Sequence, residues 1–440
     1  MSKEQGMIRE KQFNAVQHSV DRNNFFAEID AFWPDLYDME YALYDCLKVT
    51  RKDVAEMRKI AERAFTIFQK TAHMLRSYAS DPLLEELDYP RSTLTYIRKK
   101  TLLSDTVIGR FDFVKTTEGF KILELNADTP TFIKECFVIN GKVVNKLGYE
   151  DPNAGTEAEL AAAVKSAILE TARARNLRNP HIVFTSHSDH EEDLITTIYL
   201  LQKSAVKAKF VPLSRLVIDE NGLYDEESNR IDILYRQTYP IEHLANDSDE
   251  HTKMRVGEQL IQLVIEDKLS LINPPSAFLL QSKAVMAIIW GLMEEDSDVY
   301  TTNEKRWIRQ YFLPTYLEKD TFIAEGVSFV EKPSFGREGD TIKIYDGNGN
   351  ILNKNVNENY SDSTPVFQKH VEMPKISIKT EKGIQEARQL FGCFVINGKG
   401  SAIGVRAGAE ITGNESCFMP IGYKKYHTKG EQQNNGKLIS

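Results

Sequence analysis

The chain has 440 residues, with 55 lysines and arginines, 64 aspartates and glutamates, and a formal net charge of −9. Its hydrophobic share of 41% and charged share of 27% are typical of a folded globular protein and too apolar for a disordered one. A single hydrophobic core usually stops growing below this length, so we expect one module with several lobes. The acidic balance, without a concentrated basic stripe, argues against a nucleic-acid partner.

Cysteine usage and apolar runs suggest the compartment. Cys46, Cys136, Cys393 and Cys417 are scattered without a CxxC pair, so we expect reduced thiols rather than a zinc knuckle or a disulfide framework. The N-terminus lacks the apolar centre of a signal peptide, and no window approaches eighteen uninterrupted apolar residues. These patterns predict a cytoplasmic protein without a membrane partner. The polar segment 424–440 is expected to form a frayed tail.

Hydrophobic periodicity predicts an N-terminal helical region followed by alternating helices and strands. Apolar residues recur every three or four positions between Asp53 and Ser77, which indicates an amphipathic helix. Two extended runs, VIGRFDFV and FKILELN, flank residues 115–119 and predict a β-hairpin. Further on we expect helices over 157–175, 191–204 and 281–293, strands over 182–186, 207–213, 233–237 and 328–333, and a hairpin over 341–352. This order predicts an α/β (α+β) fold with mixed sheets.

The first hairpin carries four polar side chains on one face. If a three-residue loop is centred on Glu118, antiparallel register pairs Asp112 with Glu124 and Arg110 with Asn126. Two facing carboxylates repel unless a cation lies between them, and magnesium takes carboxylate, amide and phosphate oxygens. We therefore predict Asp112, Glu124 and Asn126 as metal ligands, with Arg110 beside a phosphoryl group. The alternative is a solvated hairpin face with an ordinary surface ion pair.

A glycine-rich turn lies between two apolar strands in KPSFGREG. It combines Lys332 and Arg337 with Gly336 and Gly339, and glycines let backbone amides approach a phosphate while lysine supplies a point charge. The segment is not a Walker A loop because GxxxxGK[ST] is absent, and the alternative is an ordinary hairpin loop. Lys283 begins an otherwise apolar helical run, so its ammonium must reach water or an anion.

Two later strand-like segments contain further candidate residues. PVFQKHV (365–371) is compatible with a hinge strand whose backbone groups recognise adenine, although its composition does not require this. Arg406 interrupts the apolar run SAIGVRAGAEIT, which marks either an inward-facing functional cation or an edge position. Neither segment alone decides between its alternatives.

Taken in order, RFDFVKTTEGFKILELNADTP, SKAVMAIIWGL, VEKPSFGREG and AIGVRAGAEIT resemble the successive motifs of the glutathionylspermidine synthase family. The similarity covers about residues 26–423. The resemblance implies an ATP-grasp-like synthetase fold and a carboxylate–amine ligase that uses ATP and Mg²⁺, with two ions expected. No amidase-like domain precedes the module in this sequence, unlike in bifunctional members, so hydrolysis of the product is not expected.

The resemblance also implies roles for individual residues. Asp112, Glu124 and Asn126 correspond to magnesium ligands, and Arg110 corresponds to the arginine on the transferred phosphoryl group. The other implied positions are Lys283 and Lys332 on the ATP phosphates, Arg337 with Gly336 and Gly339 in a mobile loop, Gln368, Lys369, His370 and Val371 at the adenine hinge, and Arg406 in the late strand motif. Arg110 and Arg337 are the expected catalytic residues.

Substrate-binding residues are predicted in three places. The resemblance implies that Thr129 lies at the rim of the substrate site. Two further segments resemble features of the family: the acidic cluster of Asp189, Glu191, Glu192 and Asp193, and LYRQTYPIE, which contains Arg236 and Glu242. Acidic groups attract a polyamine, whereas the alternative for the cluster is a helix N-terminus, where the helix dipole favours carboxylates.

The predicted reaction joins a carboxylate, such as that of glutathione, to a primary amine, such as spermidine, through an acyl phosphate formed with ATP. A second hypothesis is a catalytically inactive ATP-binding sensor or assembly protein with the same fold. A third is a glycosidase that uses Asp112 and Glu124 as its carboxylate pair. If these two residues hold metal, Asp112→Asn or Glu124→Gln is expected to abolish turnover and to leave the melting temperature of the metal-free protein little changed.

Overall fold

The computed structural model describes residues 13–424, so nearly all of the predicted tail lies outside the described residues. Within that range the chain forms short 3₁₀ segments at Arg91–Thr93 and Leu213–Arg215, a π-helical turn at Glu135–Ile139, and α-helices. The α-helices are α1 (Ala15–Ala27), α2 (Arg51–Tyr78), α3 (Asp81–Glu86), α4 (Leu94–Ile97), α5 (Asn140–Lys146), α6 (Thr156–Ala174), α7 (Glu191–Ser204), α8 (Ile241–Leu244), α9 (Val256–Ile265), α10 (Pro275–Gln281), α11 (Ala284–Glu294), α12 (Thr302–Tyr311) and α13 (Asp320–Glu325).

The strands are distributed along the whole described chain. They are β1 (Asp35–Leu36), β2 (Met39–Glu40), β3 (Leu47–Lys48), β4 (Ile108–Thr116), β5 (Gly119–Asn126), β6 (Ile182–Ser186), β7 (Lys209–Phe210), β8 (Val217–Ile218), β9 (Leu223–Tyr224), β10 (Ile233–Gln237), β11 (Ser270–Ile272), β12 (Thr315–Tyr316), β13 (Phe329–Pro333), β14 (Lys343–Tyr345), β15 (Ile351–Lys354), β16 (Pro365–Lys369), β17 (Lys375–Thr380), β18 (Gly383–Ile396), β19 (Lys399–Gly408), β20 (Cys417–Met419) and β21 (Ile421–Gly422).

Three sheets define the architecture. A parallel sheet has the order β11-β10-β6-β7, and an antiparallel sheet has the order β12-β16-β13-β14-β15. A larger antiparallel sheet has the order β20-β19-β18-β4-β5, with β17 also paired to β18. The predicted α/β fold with mixed sheets and a helical N-terminal region is confirmed.

The N-terminal helical region packs on the larger antiparallel sheet. Helix α2 begins where the Thr50 side chain accepts a hydrogen bond from the Asp53 backbone N–H. Its buried stripe, which includes Val54, Met57 and Phe65, packs against β18 and β19. The helix predicted between Asp53 and Ser77 is therefore present, and apolar burial along one face accounts for it.

The parallel sheet is covered on both faces. Along β6, Ile182 and Phe184 point into one apolar cluster with residues of α6 and α7, whereas Val183 joins the second cluster with residues of α9. Every β6 side chain is buried, as is usual for parallel strands enclosed by helices. The four strands consequently place their carboxyl ends together at one edge of this lobe.

Two predicted elements differ from the structure. The strand expected over 207–213 is limited to β7, and the helix expected over 281–293 begins only at Ala284, as α11, because a break divides it from α10, and the two helices are bent by 73°. The division occurs because Ser282 has an extended backbone and the Lys283 N–H donates to the Ser334 carbonyl instead of continuing α10. The break places Lys283 beside the glycine-rich turn.

All four cysteines are free thiols. Among residues 13–424 no single helix has both the length and the apolar composition to cross a membrane, although the bent pair α10 and α11 qualifies by length and composition.

Two helical glycines provide a matched test of the packing between α8 and α9. A Cβ on Gly257 would lie 1.5 Å from the Leu244 carbonyl oxygen at the end of α8, whereas a Cβ on Gly291 meets no atom within 4 Å. We expect Gly257→Ala to lower the free energy of unfolding by about 1–3 kcal/mol and Gly291→Ala to raise it by about 0.5–1 kcal/mol. Urea unfolding of both variants measures this, and equal effects would contradict the close approach of α8 to α9.

Candidate active site

One cavity lies between the two antiparallel sheets. It contains about 1270 Å³ of empty space, including the part open to solvent. The predicted site residues that line it are Arg110, Asp112, Glu124, Asn126, Thr129, Lys283, Lys332, Gly336, Arg337, Gly339, Gln368, Lys369, His370, Val371 and Arg406. Residues from five distant segments of the sequence therefore meet on one surface.

The β4–β5 hairpin forms one wall of the cavity. The predicted pairs Asp112 with Glu124 and Arg110 with Asn126 are confirmed. The predicted three-residue loop is wrong, because Thr116 pairs with Gly119 across a two-residue turn. A β-bulge compensates: Phe113 pairs with Ile122, so Leu123 is an extra residue that restores the predicted pairing. Leu123 and Glu124 consequently both face the cavity.

A hydrogen-bonded polar network covers this wall. Arg110 donates to both carboxylate oxygens of Asp112, from Nε at 2.7 Å and from Nη2 at 3.0 Å. The Asn126 Nδ2 group donates to Asp112 at 3.3 Å and to Glu124 at 3.2 Å. Arg110 also donates to the Thr131 carbonyl at 2.8 Å. The predicted surface ion pair is thus a buried bidentate pair, and the solvated-face alternative does not describe it.

Two lysines face the hairpin from the opposite wall. The Lys283 Nζ lies 3.5 Å from the Glu124 carboxylate and donates to the Gly336 carbonyl at 2.8 Å. The Lys332 Nζ donates to the Gln368 side chain at 2.8 Å and to the Leu123 carbonyl at 3.4 Å. Both ammonium groups therefore point into the cavity toward the same carboxylate.

These cations set the protonation of the site. Burial opposes ionisation of Glu124, but Lys283 and then Lys332 outweigh it and lower its pKa to about 2. Burial lowers the pKa of Lys332 to about 8, although Glu124 acts in the opposite direction. Burial raises the pKa of Asp112, and Arg110 opposes that effect. Glu124 is consequently an ionised carboxylate at neutral pH.

The glycine-rich turn closes one side of the cavity. Glu338 and Gly339 both have positive φ values, of 60° and 72°. A Cβ on Gly339 would lie 2.7 Å from the Thr412 carbonyl oxygen, so the turn needs glycine there to approach the 411–412 segment. Glu338 accepts a hydrogen bond from the Asn414 side chain. The turn is therefore held against the loop that follows β19.

Arg406 and the hinge segment occupy the remaining cavity wall. Strand β19 lies between β18 and β20, so the alternative of an edge position for Arg406 is wrong, and Arg406 lines the cavity. The hinge segment leaves the smaller antiparallel sheet after Lys369 and enters β17 of the larger one at Lys375. The Lys369 and His370 amides donate to backbone carbonyls of neighbouring segments, at 2.9 and 3.0 Å.

An apolar slot lies beside the lysines, and sequence reasoning did not find it. Its lining residues are Leu123, Val330, Ile342, Ile344, Val371, Met373 and Leu390. Leu123, Val371, Met373 and Leu390 pack together around Val114 as a small separate cluster. The alternating apolar positions of β13 and β14 were the available signal, but alternation alone does not distinguish a slot from a core.

Four predicted substrate residues lie outside the lining of the cavity. Glu191 is exposed and Glu192 is half-buried, both in the first turn of α7, as the helix N-terminus alternative described. Burial, Glu135 and Asp193 raise the pKa of Glu192 to about 8. Arg236 forms a buried ion pair with Asp128.

The fourth of these residues, Glu242, lies in α8 directly after Pro240, which does line the cavity. Burial raises the pKa of its carboxyl group to about 7.

A profile of the family described as glutathionylspermidine synthase preATP-grasp matches residues 10–423 of the chain. The chain belongs to this family. Among relatives, a putative acid–amine ligase of Haemophilus influenzae is 22% identical over 375 residues, covering 80% of this chain and 86% of that protein. The bifunctional glutathionylspermidine synthetase/amidase of Escherichia coli is 22% identical over 340 residues, covering 70% of this chain and 50% of that protein. The chain therefore spans about half the length of the bifunctional relative.

The fold comparison agrees with the family. A glutathione synthetase-like effector from Globodera pallida, solved in its apo form, superposes with a TM-score of 0.58 at 12% identity, covering 93% of this chain and 97% of that one. The predicted family and the ATP-grasp-like fold class are confirmed. Family and relatives together indicate acid–amine ligase activity.

The ion network predicts a lower free energy of unfolding for the variant Glu124→Gln. The Glu124 side chain is 27% exposed and is the shared counter-ion of Lys283 and Lys332, so we expect ligand-free Glu124→Gln to lose about 2–3 kcal/mol at pH 7. The folded pKa of about 2 lies below the usual value of 4.5, so this contribution is present above pH 4.5 and is lost as the pH falls toward 2.

Denaturant midpoints at pH 7 and pH 3 measure this contribution, because most of it should be lost at pH 3. The control is Glu118→Gln in the exposed turn of the same hairpin, which should change stability by less than about 0.5 kcal/mol. An equal, pH-independent effect of the two substitutions would contradict the network.

Proposed function

We propose that this chain is an ATP- and Mg²⁺-dependent ligase that forms an amide between a carboxylate and a primary amine through an acyl phosphate. The observation that carries the proposal is the charge arrangement of one cavity. Arg110, Lys283, Lys332, Arg337 and Arg406 surround it, and its hairpin wall presents two carboxylates beside an apolar slot. Lysines and arginines next to an apolar slot, with carboxylates that could hold a metal ion, suit a nucleotide triphosphate.

The lining of the cavity suggests one orientation for ATP. In the proposal, the adenine ring would occupy the apolar slot lined by Val371 and Met373, near Gln368. The ammonium groups of Lys283 and Lys332 lie between the slot and the hairpin, where phosphates attached to a bound adenosine would follow. Each lysine now bonds a neutral carbonyl or amide oxygen, and a phosphate is a stronger partner for a cation.

The hairpin carboxylates fit a magnesium ion completed by phosphate oxygens. Among residues 13–424 no group of three or more His, Cys, Asp and Glu side chains is suited to hold a metal without other ligands. Magnesium usually uses one or two carboxylates with substrate phosphates and water, so Glu124, Asp112 and the Asn126 carbonyl are an adequate set. When bound, the ion would neutralise charge on the phosphates. Glu124 is the principal ligand in this proposal, because Arg110 already occupies both oxygens of Asp112.

The protein's side chains would favour phosphoryl transfer by positioning and charge neutralisation. The substrate carboxylate attacks the γ-phosphorus of ATP, and ADP leaves with the bond electrons. Arg110 and Arg406 lie where they can stabilise the charge spread over the transferred group. The turn that carries Gly336 and Gly339 covers the cavity and would exclude water from the acyl phosphate.

The substrates are proposed by analogy and by charge. The name of the E. coli relative refers to glutathionylspermidine, so we propose glutathione or a similar peptide acid, and a spermidine-like amine. Thr129 lies on the cavity rim, and Glu242 lies near it as a carboxyl group that attracts a polyamine when ionised. Glu192, whose pKa of about 8 keeps it largely protonated at neutral pH, would accept the polyamine through hydrogen bonds rather than through charge. Arg236 supports this rim through Asp128.

The decisive test is magnesium-dependent release of ADP from ATP. We expect release to require one acid and one amine, tried first as glutathione with spermidine and then from a panel of small acids and amines. Mass spectrometry should identify the amide. ATP binding without stimulation by any pair would favour the second hypothesis, an inactive ATP-binding sensor, whereas the complete cation set argues for catalysis.

A second test concerns the glycine-rich turn. Arg337 is predicted to act when the turn closes, so Arg337→Ala should lower kcat about 10- to 1000-fold and change ATP affinity less than about 3-fold. Single-turnover ADP formation and equilibrium ATP binding separate the two quantities. Arg306→Ala, at an exposed position on α12, is the control and should change neither. A loss confined to ATP affinity would refute the closing role of Arg337.

A further inference from the structure

The carboxyl group of Glu242 is exceptional among the acids around the cavity. Both of its oxygens are buried, and within residues 13–424 neither has a hydrogen-bond partner in another residue. A buried carboxyl group without partners is costly, and such groups concentrate where a ligand completes them. Glu242 lies two residues after Pro240, which lines the cavity, and the charges of the lining residues Arg337 and Lys283 act on its carboxyl group.

The surroundings of Glu242 connect it to the site. The charged and titratable groups that act on it or respond to it are Asp128, Arg236, Lys283, Arg337 and Tyr360. Lys283 and Arg337 both line the cavity, and Arg337 lies in the turn predicted to close. Asp128 also has one buried oxygen that lacks a partner among the described residues. Two incomplete carboxylates therefore lie near the same side of the cavity, where a cationic nitrogen would be attracted.

The acids that line the cavity are already engaged. The carboxylates and their partners are Asp112 with Arg110, Glu124 with Asn126, Glu338 with Asn414, Asp340 with Asn359, and Glu410 with Asn353. Glu192 accepts a hydrogen bond from the Phe132 N–H, and its pKa of about 8 means that it already holds a proton at neutral pH. Asp128 and Glu135 each have one unpartnered oxygen, but their other oxygens are bonded to Arg236 and Tyr41, whereas both oxygens of Glu242 lack a partner in another described residue.

We infer that Glu242 is the proton acceptor that converts the amine substrate from its ammonium form to the nucleophile. The inference deepens the ligase function proposed above and depends on it. The Glu242 carboxylate takes one proton from R–NH₃⁺, giving R–NH₂ and a neutral carboxyl group. The nitrogen lone pair then forms the C–N bond at the acyl carbon, the C–O bond to phosphate breaks, and the second nitrogen proton leaves with inorganic phosphate.

The pKa of the Glu242 carboxyl group suits a proton acceptor. Burial raises its pKa to about 7, with Asp128 acting in the same direction and Arg337 and Lys283 in the opposite one. A base of this pKa is substantially ionised at neutral pH and is still strong enough to take a proton from a bound ammonium. Entry of the ammonium would also give the two oxygens the partner they lack.

The test compares two nucleophiles in the same variant. Spermidine, or the amine found in the ADP-release panel, must lose a proton before attack, whereas hydroxylamine is largely unprotonated at neutral pH. With glutathione or the acid found in that panel, Glu242→Gln should lower the amine-dependent kcat at pH 7 by about 10²- to 10⁴-fold and should leave hydroxamate formation within about 3-fold of wild type. Intact hydroxamate formation also demonstrates a folded, ATP-competent variant.

The pH profile provides an independent readout. The amine-dependent kcat of the wild type should rise with pH and level off above about 7, where Glu242 is ionised. In Glu242→Gln it should continue to rise toward the pKa of the free amine. Glu250→Gln, at an exposed position after α8, is the matched control and should retain the wild-type profile.

Three results would overturn the inference in distinguishable ways. An equal loss with both nucleophiles would mean that Glu242 has a structural role. Unchanged amine-dependent turnover in Glu242→Gln would assign the proton to another group, such as Glu192. If the wild type forms neither amide nor hydroxamate with any acid, the proposed ligase function fails and the inference falls with it.

Discussion

The bulge in strand β5 is the constraint on which the candidate site depends. Phe120 and Ile122 point into the core, and regular alternation would send Glu124 after them. The extra residue Leu123 reverses the alternation, so Leu125 continues the core and Glu124 turns to the cavity opposite Asp112. One strand thereby supplies part of the core, the apolar slot and the carboxylate wall. A strand without the extra residue would bury Glu124 among phenylalanines, which is energetically prohibitive for an ionised group.

The carboxylate wall in turn makes the cation cluster tolerable. Lys283 and Lys332 would repel each other in a partly buried cavity, and after burial the charge of Lys283 is a further cause of the lowered pKa of Lys332. The negative charge of Glu124 offsets this repulsion, and the two lysine charges in turn keep Glu124 ionised. The network therefore keeps the cations in place in the ligand-free chain. In the proposed function, a polyphosphate would replace the carbonyl and amide oxygens that the two lysines bond now, and the hairpin wall would not have to rearrange.

How much the sequence predicts depends on whether the cause is local. Helix α2 and the pairing of Asp112 with Glu124 follow from periodicity and alternation, and both are confirmed. The predicted turn is wrong because it assumes regular alternation along β5. The spacing of the apolar residues Phe120, Ile122 and Leu125 departs from alternation and marks the bulge. The break between α10 and α11 has no local helix-breaking signal, since neither proline nor glycine occurs at residues 281–284, and the hydrogen bond that interrupts the helix joins the Lys283 N–H to the distant Ser334 carbonyl.

The site shows the same distinction. The resemblance to a family supplied most of the cavity residues, because their order along the chain is a pattern that can be read directly. The apolar slot assembles from several distant segments, each of which also reads as ordinary core, so only the fold brings its residues together. The state of Glu242 is likewise invisible in sequence: its two unpartnered oxygens result from how α8 packs behind Pro240.

The two kinds of sheet divide the chemical tasks between them. In the proposed function, the cavity between the antiparallel sheets would supply the charges for phosphoryl transfer to a carboxylate, a task that does not depend on which acid or amine is used. The parallel sheet directs the ends of β6 and β10 toward the rim, where Arg236 holds Asp128 and Gln237 lies within 3.4 Å of the Thr129 carbonyl. Ligands of open parallel sheets usually bind at the carboxyl ends of the strands. Substrate choice should therefore depend on this edge, where family members only 22% identical have most freedom to differ without disturbing the cations and the hairpin.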